Sequence, residues 1–213
     1  MNRSFAMDFS LRVSPDQSQF FIRDKVSLSC GDTGAVKRNT STKYNQNCSE
    51  MGGDQDGSTC SMPLLSQDSG QYWCERNGTS TEPVNITVQD KGVVVQVPVL
   101  PVSPGQTVSL TCRHHTGSAP SARFYRDGQL LSEQPTGQLT LQQVSVSDEG
   151  RYQCEIRGEK SQPSPLRIRA DETLVRDTPL LHQSSLLSLQ LSLLFLLQPS
   201  HLFCWVSSLG RSS

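Results

Sequence analysis

Asp68-Ser69-Gly70-Gln71-Tyr72-Trp73-Cys74 returns 80 residues later as Asp148-Glu149-Gly150-Arg151-Tyr152-Gln153-Cys154. Both read D-x-G-x-Y-x-C. Upstream of the first copy lies Lys25-Val26-Ser27-Leu28-Ser29-Cys30, and upstream of the second lies Gln106-Thr107-Val108-Ser109-Leu110-Thr111-Cys112. In both, Val, Leu and Cys alternate with polar residues, the period-2 pattern of a strand with one apolar face. The two cysteines are 44 residues apart in the first copy and 42 in the second. Each part of the motif has a physical job. Asp and Gly suit the turn that enters a strand. The Tyr is placed for its hydroxyl to bond back to upstream backbone, and the Cys meets its partner on the opposite sheet of a sandwich.

Two copies of this arrangement predict an all-β chain. It consists of two tandem immunoglobulin-like β-sandwich domains, each with an inter-sheet disulfide (Cys30–Cys74 and Cys112–Cys154), followed by a hydrophobic C-terminal tail. The expected boundaries are a disordered segment over 1–16, domain 1 over 17–90 and domain 2 over 91–170. A linker over 171–185, a membrane-spanning or GPI-signal segment over 186–206 and a tail over 207–213 follow. In domain 2, strands are expected at 92–100, 122–127 (ending at the Asp127-Gly128 turn), 138–144 and 166–169. Leu166 and Ile168 point inward there, and Arg167 and Arg169 outward. In domain 1, Val84, Ile86 and Val88 mark the last strand, which runs almost directly into domain 2, so a fixed pair is expected. Neither Trp73 nor Trp205 stands at the third-strand position that usually packs on the disulfide. Ala35 or Val36 stands there in domain 1, which implies a looser core or a filling residue from elsewhere. Phe124 or Tyr125 takes the place in domain 2.

Seven cysteines in 213 residues point to an oxidising compartment. With two bridges assigned, Cys48 and Cys60 are left to pair across a short loop, a bridge contributing about 3 kcal/mol in the chain-entropy picture. Asn-x-Ser/Thr sequons start at Asn2, Asn39, Asn47, Asn77 and Asn85. Glycosylation is expected at the last four, leaving domain 2 bare. Residues 1–16 carry no apolar secretory stretch, although cysteine usage, sequons and fold call for secretion, so a start missing its first exon, or an isoform with a wrong start, is the expectation. From 186 to 206 an apolar segment, interrupted by Gln198-Pro199-Ser200-His201, reads as a membrane span, a GPI signal or a tail that anchors nothing.

The balance of 19 Lys/Arg against 20 Asp/Glu excludes a strongly basic nucleic-acid binder. It hides an asymmetry: residues 1–90 hold 8 basic and 11 acidic side chains, residues 91–170 hold 9 and 6. The bland reading is two solvated surfaces; the sharper one is a positive domain 2 facing an acidic partner. Arg123, Arg126, Arg167 and Arg169 read as outward strand residues, with a surface for sulfated glycans as the sharper alternative. No phosphate loop, nucleophile elbow or H-E-x-x-H occurs, and only Cys204 is left outside a bridge, so neither an enzyme nor a cofactor is expected. His114-His115 lacks nearby carboxylates or thiolates in sequence, and adjacent residues point apart, so no metal site is expected. No tyrosine follows Arg169, so signalling is expected to need a partner chain.

The run Val84–Val88, the stretch from Val97-Pro98-Val99-Leu100-Pro101-Val102-Ser103-Pro104-Gly105 to Cys112, and Phe124-Tyr125-Arg126-Asp127-Gly128 resemble the two-domain ectodomains of Fc receptors and Fc receptor-like proteins. Val36-Lys37-Arg38-Asn39-Thr40 and the Cys48/Cys60 pair are similar to the fish members of that group. The resemblance covers about residues 20–170. It implies a leukocyte receptor on the external side of the plasma membrane, binding a protein ligand such as the immunoglobulin Fc region through domain 2. Carried over by position, the contacts fall in 114–121, 129–133 and 157–162, with His114, His115, Ser118, Ser121, Gln129, Arg157, Glu159 and Lys160 as ligand-binding residues. The tryptophans that clamp an antibody proline in mammalian receptors have no counterpart in the linker or in 114–121. A non-signalling adhesion or decoy module is the alternative.

Overall fold

A computed structural model describes residues 9–31, 33–118 and 121–169. The tail segments from 171 onward, Cys204 and Asn2 lie outside the described residues.

In the first sandwich one sheet runs in the order Arg12–Ser14, Lys25–Ser29, Thr59–Pro63, Asp54–Asp56, all antiparallel. The facing sheet runs Gln19–Phe21, Val84–Gln89, Gly70–Arg76, Ala35–Thr40. Its first two strands are parallel, Phe20 opposite Val88. The alternation in Lys25–Ser29 turns Val26 and Leu28 inward, and Ile86 and Val88 meet them from the other sheet. In the second sandwich Val108–His114 lies between Val93–Gln96 on one side and Gln138–Leu141 with Gly117–Ser118 on the other. Facing it, Gln129–Gln134, Ala122–Arg126 and Gly150–Ile156 follow in order, with Glu159–Lys160 and Ser164–Leu166 on the far edge of Gly150–Ile156. Val95, Leu110, Phe124, Val144, Tyr152 and Cys154 form its core.

The repeated motif does the same work twice. The Tyr72 hydroxyl donates to the Asp68 carbonyl at 2.6 Å, and the Tyr152 hydroxyl to the Asp148 carbonyl at 2.7 Å. The aspartates cap the short 3-10 turns Ser66–Asp68 and Val146–Asp148, accepting from the Leu65 and Ser145 amides at 2.7 and 2.9 Å. The glycine has a second reason beyond the turn. A Cβ at Gly70 would stand 2.1 Å from the Asn39 carbonyl oxygen, so the neighbouring strand could not pass there. The Asp127-Gly128 turn has both residues at positive φ, 51° and 83°, the primed geometry that matches strand twist.

Cys30–Cys74 and Cys112–Cys154 join the sheets of their respective sandwiches, and Cys48 is bonded to Cys60. Val36 and Phe124 face Cys74 and Cys154 across the strand pair, the places where a tryptophan would pack. Phe124 fills its place. Beside Val36 the Cys48–Cys60 bridge belongs to the core and lines a residual cavity of about 30 Å³ with it. The disulfide thus adds buried sulfur to the core on the Val36 side.

One expectation is corrected. Residues 9–16 are not a disordered segment: Arg12–Ser14 pairs with Lys25–Ser29, and Leu11 and Val13 are buried in the first core. A three-residue strand contributes too little periodic signal to read locally, and its burial depends on joining a sheet whose inner face packs in the first core.

Candidate functional site

Among the described residues, two surface-reaching places bring polar groups of distant segments together. The first is the junction between the sandwiches. Gln17, Ser18 and Gln19 are buried although polar, because Val93–Gln96 and Ser164–Leu166 cover them. Gln19 donates from its amide nitrogen to the Gln162 carbonyl at 2.7 Å, and its oxygen accepts from the Val95 amide at 3.3 Å. Ser18 and Ser164 share a short hydroxyl contact. Asp16 accepts from the Val99 and Leu100 amides at 2.8 and 3.3 Å. Arg113 forks onto both carboxylate oxygens of Asp24 at 3.2 Å and lies over the Phe21 ring. A bidentate guanidinium fixes orientation as well as distance, so the two sandwiches are held in one arrangement.

The second place is the outer face of the Ala122–Arg126/Gly150–Ile156 sheet with the loops at one end of it. Tyr125 and Glu155 both point away from the core. The Tyr125 hydroxyl donates to Glu155 Oε2 at 2.8 Å, a bond that raises the phenol pKa because ionisation would set two negative groups together. The Lys160 ammonium sits 3.8 Å from the Tyr125 ring centroid and 3.8 Å from Glu155. Arg123 bridges Glu133 at 3.2 Å and Glu155 at 3.6 Å. The result is a half-exposed lattice of alternating charge around one aromatic ring.

The sequence-derived contact residues divide around this lattice. His114 lies at the hairpin end beside it: Nδ1 accepts from the Thr116 amide at 3.3 Å, leaving Nε2 to face Glu159 at 3.3 Å. His115 does not point away from His114, because it leaves the strand for a turn; the two ring centroids are 4.2 Å apart. It is tied back to Gly92, whose amide donates to its Nδ1 at 3.1 Å. Glu159 and Lys160 form the return of a hairpin whose turn holds Arg157 at a φ of 53°. Ser118 ends the strand Gly117–Ser118, and exposed Ser121 precedes Ala122–Arg126. Gln129 lies elsewhere: it pairs with Arg126, at the opposite end of the strand from Ala122. The structure therefore brings His114, His115, Glu159 and Lys160 to one end and leaves Gln129 at the other. Tyr125 and Glu155 are absent from the sequence-derived contacts, whereas Arg123 enters there only within a basic surface and Glu133 only as the end of 129–133; strand alternation is the signal that turns 123, 125 and 155 outward together. Of the arginines considered as a basic surface, Arg123 is engaged by Glu133 and Glu155, and Arg126 lies 3.9 Å from Asp148.

The sequons fall on the first sandwich. Asn39 and Asn85 flank Gln71 in one row across adjacent strands, with Asn39 opposite Gln71 and Gln71 opposite Asn85. At normal strand spacing they are about 10 Å apart. Asn77 sits in a hairpin turn at a φ of 49°. Asn47 is exposed, its side-chain oxygen accepting from the Ser49 hydroxyl and the Glu50 amide. Among the described residues no helix is long and apolar enough to cross a membrane.

Comparison with known proteins places this geometry. Residues 85–157 match the family model described as "Immunoglobulin domain". Fc receptor-like B of Homo sapiens is 32% identical over 91 residues, covering 41% of this chain and 21% of that protein. The low affinity immunoglobulin gamma Fc region receptor II of Bos taurus is 28% identical over 147 residues, covering 67% of this chain and 48% of that protein. The high affinity immunoglobulin epsilon receptor subunit alpha of Mus musculus is 22% identical over 165 residues, covering 74% of this chain and 64% of that protein. The matches thus span between about a fifth and just under two thirds of these relatives.

Proposed function

We propose that this chain, an immunoglobulin-like protein that resembles the Fc receptors and Fc receptor-like proteins, is the ligand-binding part of a cell-surface immune receptor. It acts by binding a protein, the immunoglobulin Fc region being the first ligand to test, and passes a signal only through a partner chain. The ligand meets the second sandwich, at the end formed by His114–Ser118 and Arg157–Lys160 and on the adjoining face of Arg123, Tyr125 and Glu155. One observation carries this reading. The corresponding outer face of the first sandwich bears two glycan acceptors in one row, Asn39 and Asn85, whereas the Tyr125 face bears none. A glycan-covered sheet excludes a flat protein contact, and a bare one decorated with fixed charges and an aromatic ring invites it.

The test is binding of the chain, expressed behind a secretory signal, to purified immunoglobulin. Binding that weakens about tenfold in Tyr125→Ala and in Lys160→Ala supports the reading, the loss expected of a central contact. A folded protein that binds no immunoglobulin counts against the antibody ligand.

A second reading has its own observation. Leu130 and Leu131 are 58% and 42% exposed on Gln129–Gln134, an edge strand. An exposed apolar edge favours homotypic strand addition, so the chain would serve as an adhesion or decoy module. Self-association of beads coated with the protein, abolished by Leu130→Lys, would favour it over the first.

A further inference from the structure

Asn85 stands on the exposed outer face of its sheet and at the rim of a cleft. The cleft between the two sandwiches measures about 350 Å³, at the lower end of the ~300–1,000 Å³ typical of small-molecule sites. Asn85 and Thr87, both outward on Val84–Gln89, form part of its wall from the first sandwich. The second sandwich supplies Arg151, Gln162, Pro165 and Arg167. Arg151 and Pro165 are direct partners across the strand pair, and Arg167, two residues on, faces the same way. The guanidinium groups of Arg151 and Arg167 make no hydrogen bond or ion pair among the described residues, unlike Arg113, Arg123 and Arg126, each of which has an acidic partner. The cleft thus combines a glycan acceptor on one wall with unspent planar donors and a proline face on the other.

We infer that the first sugars of an N-linked glycan on Asn85 dock in this cleft and brace the two sandwiches. Sugar hydroxyls and acetamide carbonyls accept from Arg151 and Arg167, and the apolar face of a sugar ring rests on Pro165. The covalent anchor at Asn85 supplies a high effective concentration, so weak contacts suffice. The inference rests on the cell-surface reading above, because only a secreted chain is glycosylated.

The experiment is site-resolved release of glycans by peptide-N-glycosidase from the folded full chain, expressed in glycosylating cells and followed by peptide mass spectrometry. Asn77, on a hairpin turn, is the internal reference. The glycan on Asn85 is expected to be released about tenfold more slowly than that on Asn77, equivalent to ~1.4 kcal/mol of protection. In the double variant Arg151→Ala/Arg167→Ala the two rates should converge. Both arginines are exposed, so the fold is kept, which circular dichroism checks. Equal rates in the unaltered protein, or an Asn85 left bare while Asn77 is occupied, would overturn the docking alone. No glycan on any sequon would overturn the cell-surface reading together with it.

Discussion

Arg38 Nη1 lies 2.5 Å from Asp68 Oδ1, with both side chains almost wholly removed from water. Arg38 also donates to Gln46 Oε1 at 2.8 Å and lies near the Tyr72 hydroxyl at 3.4 Å, while its Nε is buried without a partner. The second sandwich repeats the placement with Arg126 and Asp148, but there the groups are 3.9 Å apart and about one third exposed. The same pair of positions, one on a strand and one in a 3-10 turn, therefore holds a buried ion pair in one sandwich and a solvated one in the other.

The two pairs should respond differently to truncation. Asp68→Ala strands the Arg38 charge inside the first core and is expected to cost about 3–5 kcal/mol. Asp148→Ala leaves a screened guanidinium; losing that ion pair costs less than about 1 kcal/mol, although the cap on Ser145 goes too. Urea unfolding of the two variants measures the contrast. Equal losses would mean that the Arg38 pair is not sequestered.

Tyr72 predicts an alkaline limit. Burial raises its pKa above the ordinary 10.0, with Arg38 opposing. The unfolded phenol therefore loses its proton at lower pH than the native one. Above about pH 10 the native state holds more protons than the unfolded state, so stability falls as pH rises. Tyr72→Phe is expected to be less stable at neutral pH, because the bond to the Asp68 carbonyl is lost, yet to show a shallower decline above pH 10. Thermal melts between pH 8 and 11 give both slopes; parallel slopes would refute the assignment.

The Cys48–Cys60 bridge is both a cross-link and core volume, since Cys48 and Cys60 are 4% and 1% exposed. Removing it as Cys48→Ala/Cys60→Ala should cost about 3 kcal/mol from loop entropy. The Ser/Ser variant should cost more, because two hydroxyls are buried in place of sulfur. Denaturation midpoints of the two variants decide; a Ser/Ser variant as stable as Ala/Ala would place the bridge outside the core.

Gln19 predicts coupling between the sandwiches. Gln19→Ala removes two junction bonds and leaves the Val95 amide without its acceptor, at a cost of about 1–3 kcal/mol. Calorimetry is expected to show one transition for the unaltered chain and two for the variant. A single transition in both would mean that the remaining contacts, Arg113 to Asp24 among them, suffice for coupling.

The motif D-x-G-x-Y-x-C carried its meaning locally. Tyr72 and Tyr152 bond to the aspartate four residues back, so seven residues of text contain nearly the whole device. The third-strand position was legible to within two neighbours, Ala35 or Val36 and Phe124 or Tyr125, and the strand register selects Val36 and Phe124. Arg38 was not. It shares the inward phase of Val36 and Thr40, but a charged residue within a strand reads as outward until its partner, 30 residues away, is in place. Nothing in the local sequence marks Gln17, Ser18 and Gln19 as buried, for the same reason. His114, Glu159 and Lys160 came from the family resemblance, which also named Gln129 at the other end, whereas Tyr125 and Glu155 emerged only when two strands were set in register.

The sequence by itself determined the two sandwiches, their inter-sheet cysteine pairs and the turns, because these depend on residue spacing along single strands and hairpins. The tertiary structure alone decided which polar groups are buried, how the two sandwiches grip each other through Gln19 and Arg113, and which charges surround Tyr125. Those features depend on groups far apart in the chain, and desolvation acts on a side chain only after the surface that covers it has arrived.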